Sequence, residues 1–345
     1  MRSADIIGAG IGGLAAALAL LRRGRQVKVW ERTPQPAPVG AGIVLAPNAV
    51  RALTGLGVDV ASCGYPIRRF AMRDRRGRPL QTMDLTRLDS ALAFHRAELH
   101  EAILRALPAD LVRFDCAYPA THAFTGEVLV GADGIRSAVR EHAVGPMRLR
   151  YSGYTCWRGI CRNPGITEGI EDWGGAERIG VVPLTGGRVY VFLVLAAPPG
   201  LASMRPAFAN FASPVPAVLE ALSETTLLHH DIEEMDAPVW GCGKTVLIGD
   251  AAHAMTPNLG QGASMAIEDA LVLPEIIDAD DPASVMAHQR NARVAQIQKT
   301  SRRLGELAHW ENSVAMSLRD MFIRCVPQWV GERNYRRLVE GGPRL

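Results

Sequence analysis

A glycine-rich turn near the N-terminus constrains the fold more than any other feature of this sequence. The apolar residues 4–7 predict a short strand, and the turn Gly-Ala-Gly-Ile-Gly-Gly at residues 8–13 follows it directly. An Ala/Leu-rich helix is predicted over residues 14–23 and a second strand over residues 26–30. Strand, glycine turn, helix and strand in this order predict a parallel βαβ unit that binds a dinucleotide.

The glycines of this turn each have a physical role in that prediction. Gly8 allows the tight turn, Gly10 lets a pyrophosphate approach the backbone, and Gly13 lets helix and strand pack closely. The helix N-terminus offers free N–H groups and the positive end of its dipole to phosphates. Glu31 ends the second strand and can accept hydrogen bonds from ribose hydroxyls. Because its carboxylate would repel a 2′-phosphate, FAD or NAD is favoured over NADP at this site.

Composition and charge exclude several classes of protein. The chain has 345 residues, of which 48% are hydrophobic and 21% charged, as in a globular protein of one large domain or two intertwined ones. A net charge of +3 is too small to imply a nucleic-acid partner. The six cysteines show neither disulfide-framework nor zinc spacing, so we expect reduced thiols and no metal. The apolar stretch 6–21 is too short for a membrane span, and we therefore expect a cytoplasmic protein without membrane contact.

Two further motifs follow predicted strands far along the chain. Residues 127–130 lead into Gly-Ala-Asp-Gly at 131–134, and residues 245–248 lead into Gly-Asp-Ala-Ala-His at 249–253. A loop with the sequence Pro-Asn-Leu-Gly-Gln-Gly-Ala at 257–263 precedes a helix predicted over 264–273, with Pro274 at its end. The positive end of that helix would point at any ligand beside the loop.

Together, the three blocks resemble the single-component FAD-dependent aromatic hydroxylases, which share the fold of p-hydroxybenzoate hydroxylase. The group with salicylate, 3-hydroxybenzoate and urate hydroxylases is the most similar. Residues 39–43, 47–48, 95–99 and 151–159 add to this resemblance, which covers roughly residues 4 to 300. It implies an α/β fold: a Rossmann-like FAD-binding domain with an inserted, mostly β substrate domain and a C-terminal helical segment.

The resemblance implies which residues hold FAD. The ADP half would lie against the glycine turn with Gly12, against Glu31 and against Arg32. The remaining positions would serve the ribityl chain, the flavin and the passing pyridine nucleotide: Val44, Arg96, Asp133, Gly134, Asp250, Gly260, Gln261, Gly262 and Ala263. A helix beginning near Gly262 has an independent physical reason, because its N–H groups and dipole would stabilise the negative charge of reduced flavin. NAD(P)H would bind only transiently, since no second glycine motif follows a strand.

The expected domain boundaries agree with the same resemblance. The FAD-binding domain comprises residues 1–68, 90–147 and 244–290, the substrate domain 69–89 and 148–243, and the C-terminal helices 291–345. A hairpin is predicted over 178–194 with its turn at 185–187. Residues 284–345 are predicted to be mostly helical, and four arginines are expected on their exposed faces: Arg290, Arg293, Arg302 and Arg303. The segment 108–126 is shorter than in the family, so the FAD contact usually made there cannot be assigned.

The resemblance implies a monooxygenase that hydroxylates a small aromatic or heteroaromatic substrate with NAD(P)H and O2, through a C4a-hydroperoxyflavin. Arg178 and Tyr190 are candidate residues above the flavin, and Pro257 would place its carbonyl near the reacting centre. Arg178 is predicted either to anchor a substrate anion or to be a structural or surface residue. For Tyr190, a role toward the substrate and a structural or surface role are likewise both left open. We expect a monomer or a homodimer.

Two other classes of protein also fit some of these motifs. Another flavoenzyme on the same fold, such as an epoxidase, reductase or halogenase, fits most of the motifs, and a non-catalytic dinucleotide-fold binding protein fits fewer. His253 is interpreted as a structural hydrogen-bonding residue. His229 and His230, with acidic neighbours, are interpreted as part of a strand and not as a metal site.

Overall fold

The structure is a computed structural model, and it describes residues 2–35, 41–86, 91–118, 126–201, 207–223 and 225–343. Two predictions fall partly outside these ranges: the matching stretch 39–43 loses Val39 and Gly40, and the shortened segment 108–126 loses residues 119–125. Among the described residues, no helix combines the length and the apolar character that crossing a bilayer requires.

Strands and helices alternate over the first half of the described chain, and helices dominate the end. The strands are β1 (Ala4–Ile7), β2 (Val27–Trp30), β3 (Gly42–Leu45), β4 (Tyr65–Ile67), β5 (Arg69–Asp74), β6 (Pro79–Asp84), β7 (Ala91–His95), β8 (Val112–Arg113), β9 (Val128–Gly131), β10 (Arg150–Arg162), β11 (Gly169–Trp173), β12 (Glu177–Leu184), β13 (Arg188–Ala196), β14 (Leu228–Glu234), β15 (Gly241–Cys242) and β16 (Thr245–Leu247). The α-helices are α1 (Ile11–Arg22), α2 (Pro47–Gly55), α3 (Arg96–Arg105), α4 (Ala138–Val144), α5 (Val215–Ala221), α6 (Asp250–His253), α7 (Gly262–Ile276), α8 (Pro282–Ala308), α9 (Ser313–Cys325) and α10 (Gln328–Glu340).

A six-stranded sheet carries the predicted dinucleotide unit. Its order is β15-β16-β9-β1-β2-β8, and all neighbours are parallel except the edge pair β15–β16. The connection from β1 through α1 leads to β2 on one side, whereas β9 lies on the other side of β1. In open α/β sheets, ligands bind at such a reversal, beyond the carboxyl ends of the strands. The glycine turn lies at that end of β1.

A seven-stranded sheet forms the second half of the fold, in the order β14-β10-β13-β12-β11-β5-β6. The predicted hairpin is confirmed, because β12 and β13 are antiparallel and Val182 faces Tyr190 across them. One face of this sheet packs on α5 through Trp157, Ile179 and Val191. The opposite face carries Val182 and Tyr190, which pack against Ala93 of the small sheet β3-β7-β4. The second face is thus turned toward the dinucleotide half.

Helix α7 has the start at Gly262 that the flavin argument predicts, but it extends past the predicted end. It begins at Gly262 and continues to Ile276, so Pro274 lies inside the helix and not at its end. Pro274 has no N–H to donate within the helix, but Ile277 N still donates to Leu273 O at 3.0 Å, which keeps the last turn closed. Helix α1 begins earlier than predicted, at Ile11, because Leu14 N donates to Gly10 O.

The arginines of α8 also correct the prediction of exposed faces. Arg290 is only 2% exposed and Arg293 is partly buried, because both donate to Glu268 on α7. Arg302 is partly buried and donates to the buried Glu234, while Arg303 is exposed as expected. Buried carboxylates on neighbouring elements therefore draw three of the four side chains inward, since a buried charge must be paired.

Candidate active site

The glycine turn is shaped by two close backbone contacts and one open position. Gly8 has φ +105°, and a Cβ there would lie 2.4 Å from the carbonyl oxygen of Ala132. A Cβ on Gly13 would lie 2.0 Å from the carbonyl oxygen of Gly8, so only glycine fits. A Cβ on Gly10 would meet nothing within 4 Å. The turn thus closes tightly on the sheet side and leaves the backbone at Gly10 open to a ligand.

Residues predicted for the ADP half lie around this turn. Glu31 accepts a hydrogen bond from Ala9 N at 2.8 Å through one carboxylate oxygen, and from Thr33 N and Oγ1 through the other. A carboxylate has about four acceptor positions, so Glu31 keeps capacity for a ribose hydroxyl. Arg32 is exposed beside it. A Cβ on Gly12 would lie 3.0 Å from the Cβ of Ala266, which brings α1 and α7 close together.

The carboxylate of Asp133 accepts hydrogen bonds from residues 137–139, just after it in the chain. Ser137 Oγ donates to one carboxylate oxygen at 2.5 Å, and the N–H groups of Ala138 and Val139 donate to the other at 2.8 and 3.2 Å. The carboxylate therefore caps the start of α4. Gly134, with φ +84°, has open space where a side chain would begin. The role of Asp133 toward FAD or a pyridine nucleotide stays a prediction.

The candidate FAD site, called the recess below, has the glycine turn with Glu31 as its first half. Its second half is formed by the turn after β16 and the start of α7. Asp250 is exposed, and its Oδ1 lies 4.0 Å from the position of a Cβ on Gly262. Gly260 is left-handed with φ +61°, which requires glycine or asparagine, and its side-chain position is open. Gln261 is buried at 2% exposure, and no side chain caps the N-terminus of α7. The free N–H groups at the start of α7, which include those of Gly262 and Ala263, thus lie beside Asp250.

Arg96 connects this recess with the seven-stranded sheet. Its side chain is exposed, yet desolvation by the surrounding protein lowers its pKa, while Asp250 acts in the opposite direction and Arg158 and Tyr190 lie close enough to contribute. Arg96 therefore lies between Asp250 and the Tyr190 side of the seven-stranded sheet. Val44 borders the same region from β3 and packs with the cluster that contains Tyr190.

Tyr190 and Arg178 share one face of the seven-stranded sheet but do not touch. Arg178 is opposite Val194 and Tyr190 is opposite Val182, so the two lie four residues apart along the sheet, or about 13 Å. The ring of Tyr190 covers Gly42, where a Cβ would lie 2.2 Å from it. Burial raises the pKa of Tyr190, so its hydroxyl stays protonated and can donate.

Arg178 is buried and paired. Its side chain is 4% exposed, Nη1 lies 3.2 Å from Glu171 Oε1, and Nη2 donates to Asn258 Oδ1 at 2.7 Å. A surface position is therefore wrong. Pro257, whose carbonyl is predicted to lie near the reacting centre, begins the 3₁₀ helix Pro257–Leu259. Asn258 belongs to the same short helix. Arg178 thus ties the sheet to the loop that leads into α7.

Two residues of the site were not predicted as functional, Tyr154 and His309. Asn258 Nδ2 donates to the hydroxyl of Tyr154 at 2.9 Å, and the imidazole of His309 stacks on the same ring with centroids 4.6 Å apart. Burial and the charge of Arg178 lower the pKa of His309 to about 3, so the ring is neutral. A cavity of about 80 Å³ adjoins Tyr154 and His309. Tyr154 lay within a matching stretch, but no sequence signal pointed to His309.

The histidines considered as metal ligands lie in a strand, as interpreted. His229 and His230 belong to β14, which pairs with β10, and His229 stacks on Trp157. Within the described part of the chain, no group of three or more His, Cys, Asp or Glu side chains is arranged to hold a metal ion. His253 is buried and bonded to Asp269 at 2.6 Å, in line with its structural interpretation.

The residues of the recess fit FAD. Glu31 is an acceptor for a ribose, the start of α1 offers N–H groups to a pyrophosphate, and Asp250 is an acceptor for ribityl hydroxyls. The N-terminus of α7 offers positive potential to the flavin. Gly10 and Gly260 leave open space at the positions where side chains would otherwise fill the recess.

Comparison with known proteins agrees with this fit. Residues 6–52 match the family of NAD(P)-binding Rossmann-like domains, and residues 217–279 match the FAD binding domain family. The aurachin C monooxygenase/isomerase of Stigmatella aurantiaca is 34% identical over 98% of both chains. The 2-heptyl-3-hydroxy-4(1H)-quinolone synthase of Pseudomonas aeruginosa is 34% identical over 97% of both, and the FAD-dependent urate hydroxylase of Klebsiella pneumoniae is 33% identical over 96% of both.

Solved structures show the same fold. Klebsiella pneumoniae HpxO in complex with FAD and uric acid has a TM-score of 0.89 and 28% identity, over 99% of this chain and 97% of that one. A substrate complex of salicylate hydroxylase, at 21% identity, shares the fold with a TM-score of 0.77. The chain therefore belongs to the FAD-dependent monooxygenase family, as a single-component aromatic hydroxylase. It is an oxidoreductase, and FAD is its cofactor.

Proposed function

We propose that this protein hydroxylates a bicyclic nitrogen heterocycle with NAD(P)H and O2. Two kinds of support point to that ring class. The names of the relatives at 33–34% identity include a quinolone and urate, which are both bicyclic. The face of the seven-stranded sheet that carries Arg178 also carries three aromatic rings, those of Tyr154, Tyr190 and Phe192. Aromatic and apolar walls with a few polar groups are typical of sites for flat ligands.

The observation that carries the proposal is the position of Tyr190 between both halves of the site. Its ring belongs to the aromatic face of the sheet, and its hydroxyl lies near Arg96 and Arg158. Arg96 in turn lies near Asp250, beside the start of α7. A ligand on the aromatic face would therefore meet a cofactor held by Asp250 and α7.

When bound, the flavin supplies the redox chemistry, which is acceptance of a hydride from NAD(P)H and activation of O2. The protein supplies position and electrostatics. The N-terminus of α7 stabilises negative charge on its ligand. Tyr190, whose hydroxyl stays protonated, donates a hydrogen bond into the site, and Val182 and Phe192 exclude water around the aromatic ring. Arg178 holds the loop at Asn258 and thereby sets the position of Pro257.

Anaerobic reduction of the bound flavin by NADPH or NADH tests this proposal. The rate of flavin bleaching is measured alone and with 4(1H)-quinolone, urate, hydroxybenzoates and hydroxypyridines. We expect strong acceleration by a bicyclic heterocycle and formation of a hydroxylated product when O2 is admitted. Acceleration by monocyclic compounds alone would contradict the ring class, and the absence of bleaching under every condition would contradict NAD(P)H as the reductant.

The same proposal covers the compartment, the oligomeric state and the domain division. We propose that the cytoplasm is the compartment, which the six free thiols support. Of the monomer and the homodimer, the exposed apolar residues of α9 favour the homodimer. The domain division into 1–68, 90–147 and 244–290, 69–89 and 148–243, and 291–345 is supported by the separate six- and seven-stranded sheets.

A further inference from the structure

The positive charge of Arg178 is already matched by a carboxylate of the same sheet. Glu171 on β11 lies 3.2 Å from Arg178 Nη1 through Oε1, and Trp173 Nε1 donates to the same oxygen at 2.9 Å. Both side chains of the pair are largely buried, at 4% and 14% exposure. The remaining amino group of Arg178 is bonded to the amide oxygen of Asn258. The guanidinium therefore lies beside Tyr154, which lines the cavity next to His309, as half of a neutral pair.

A neutral pair of Arg178 and Glu171 prefers a different kind of substrate from an isolated arginine. An arginine with no carboxylate beside it would attract a substrate anion, because buried opposite charges interact strongly. An anion placed next to Arg178 would instead also face Glu171 and would lose its own hydration. Capturing Arg178 for the substrate would leave Glu171 buried without its partner, which is costly. A neutral ring that only accepts or donates hydrogen bonds meets neither cost.

We propose that Glu171 makes the site selective for substrates that are uncharged where they face Arg178. This inference rests on the proposed function and narrows it to neutral heterocycles. Glu171 acts as a specificity residue through Arg178, by building repulsion against anions into the site.

Other charged groups near the pair agree with this. His309 is neutral, and it stacks on Tyr154, whose ring centre lies 6.0 Å from the guanidinium of Arg178. Glu234, near Tyr154, is paired with Arg150 and Arg302. Arg158 is the main competing anchor for an anion, since it bonds His230 at 3.0 Å and not a carboxylate among the contacts of the described residues. It faces Tyr190, at the other end of the aromatic face.

The test compares a matched neutral and anionic pair on the FAD-loaded enzyme. The probes are 4(1H)-quinolone and its 2-carboxylate, and the readouts are the dissociation constant from the flavin spectrum and the rate of anaerobic flavin reduction. The variant is Glu171→Gln, which keeps the shape and the acceptor for Trp173. The matched control is Glu177→Gln, which removes a carboxylate that pairs with Arg75 away from the site. Arg158→Gln reports on the competing anchor.

We expect the wild type to bind the neutral probe at least tenfold more tightly than the carboxylate. Glu171→Gln should reduce that ratio at least tenfold, mainly by tighter binding of the carboxylate, whereas Glu177→Gln should leave it unchanged. A wild type that prefers the carboxylate overturns the inference, as does an unchanged ratio in Glu171→Gln or a preference set by Arg158 alone. If Glu171→Gln does not fold, the wild-type ratio still decides. Binding of neither probe overturns the proposed ring class, and this inference with it.

Discussion

At the scale of single residues, Gly10 and Gly13 lie in one turn but are glycine for different reasons. Gly13 is required by the protein itself, because its Cβ would overlap the carbonyl oxygen of Gly8. Gly10 has an ordinary backbone conformation, φ −73° and ψ 178°, and open space around it. A side chain at Gly10 would therefore meet only the ligand.

Alanine at these two positions should separate folding from cofactor binding. Gly13→Ala should destabilise the apoprotein by about 3 kcal/mol, because overpacking against backbone cannot be relieved by a rotamer change. Gly10→Ala should leave the melting temperature of the apoprotein unchanged and weaken FAD binding at least tenfold. Thermal unfolding of apoprotein and titration with FAD followed by flavin fluorescence measure both effects. Equal FAD affinity in Gly10→Ala and wild type would contradict the position assigned to the pyrophosphate.

His309 gives a prediction on pH. Its pKa is lowered to about 3 in the folded protein, whereas an unfolded histidine titrates near about 6.5. Below that pH the unfolded chain takes up a proton that the folded chain refuses, so this residue's contribution to stability is complete above about pH 6.5 and falls as the pH drops toward 3.

His309→Phe should flatten that dependence, because phenylalanine keeps the stack on Tyr154 and cannot titrate. The difference in unfolding free energy between wild type and variant should change by at most about 1.4 kcal/mol per pH unit below pH 6.5. Urea unfolding at several pH values measures it. A constant difference across this range would show that His309 is not buried in its neutral form.

At the scale of elements, α7 and α8 are joined by a buried charge network. Arg290 donates to Asp269 at 2.8 Å and to Glu268 at 2.8 Å, and Asp269 also accepts from His253 and from Gly249 N. Burial alone would raise the pKa of Asp269, but His253 and Arg290 outweigh it and hold that pKa below its usual value. Through Gly249 the network fixes the turn that carries the predicted cofactor residue Asp250.

Arg290→Met should therefore destabilise the fold by about 3–5 kcal/mol, since it leaves the buried Asp269 without its guanidinium partner and Glu268 with Arg293 alone. Arg303→Met, on an exposed position of the same helix, is the control and should cost little. The wild-type contribution of Asp269 is present above the unfolded Asp pKa of about 3.9 and is lost as the pH falls through its lower folded pKa. Denaturant unfolding compares the variants, and equal stability of the two would contradict the role of the network.

At the scale of the whole molecule, α9 has an exposed apolar face. Four of its residues recur at helical spacing with 55–69% exposure: Val314, Leu318, Met321 and Phe322. The opposite side of the helix is tied down by Arg319, which donates to Ala308 O and Gly174 O. Monomeric proteins rarely leave such a contiguous apolar patch in water, so we expect a second copy of the chain to cover it.

Phe322→Glu should convert the expected dimer into a monomer without changing FAD binding, because a buried unpaired charge opposes the contact. Sedimentation velocity over a range of concentrations measures the oligomeric state. Glu311→Gln, at an exposed position three residues before Val314, serves as control. A wild type that stays monomeric at every concentration would contradict the prediction.

The sequence by itself determined the parts that depend on neighbouring residues. The βαβ unit around Gly8–Gly13 and the hairpin of β12 and β13 follow from local periodicity and turn chemistry, because backbone sterics and side-chain alternation act over a few positions. The motifs at 131–134 and 249–253 indicated the family because they too are patterns of a few consecutive residues.

Only the tertiary structure decided how charges are paired. Arg290 was expected on the surface and is buried, because Glu268 and Asp269 lie on another helix. Arg178 meets Asn258, which is 80 positions away, and His309 meets Tyr154 across the molecule. Which partner a charged side chain finds depends on the packing of whole elements, and burial then makes pairing obligatory. Local sequence patterns report neither how distant elements pack together nor which side chains become buried.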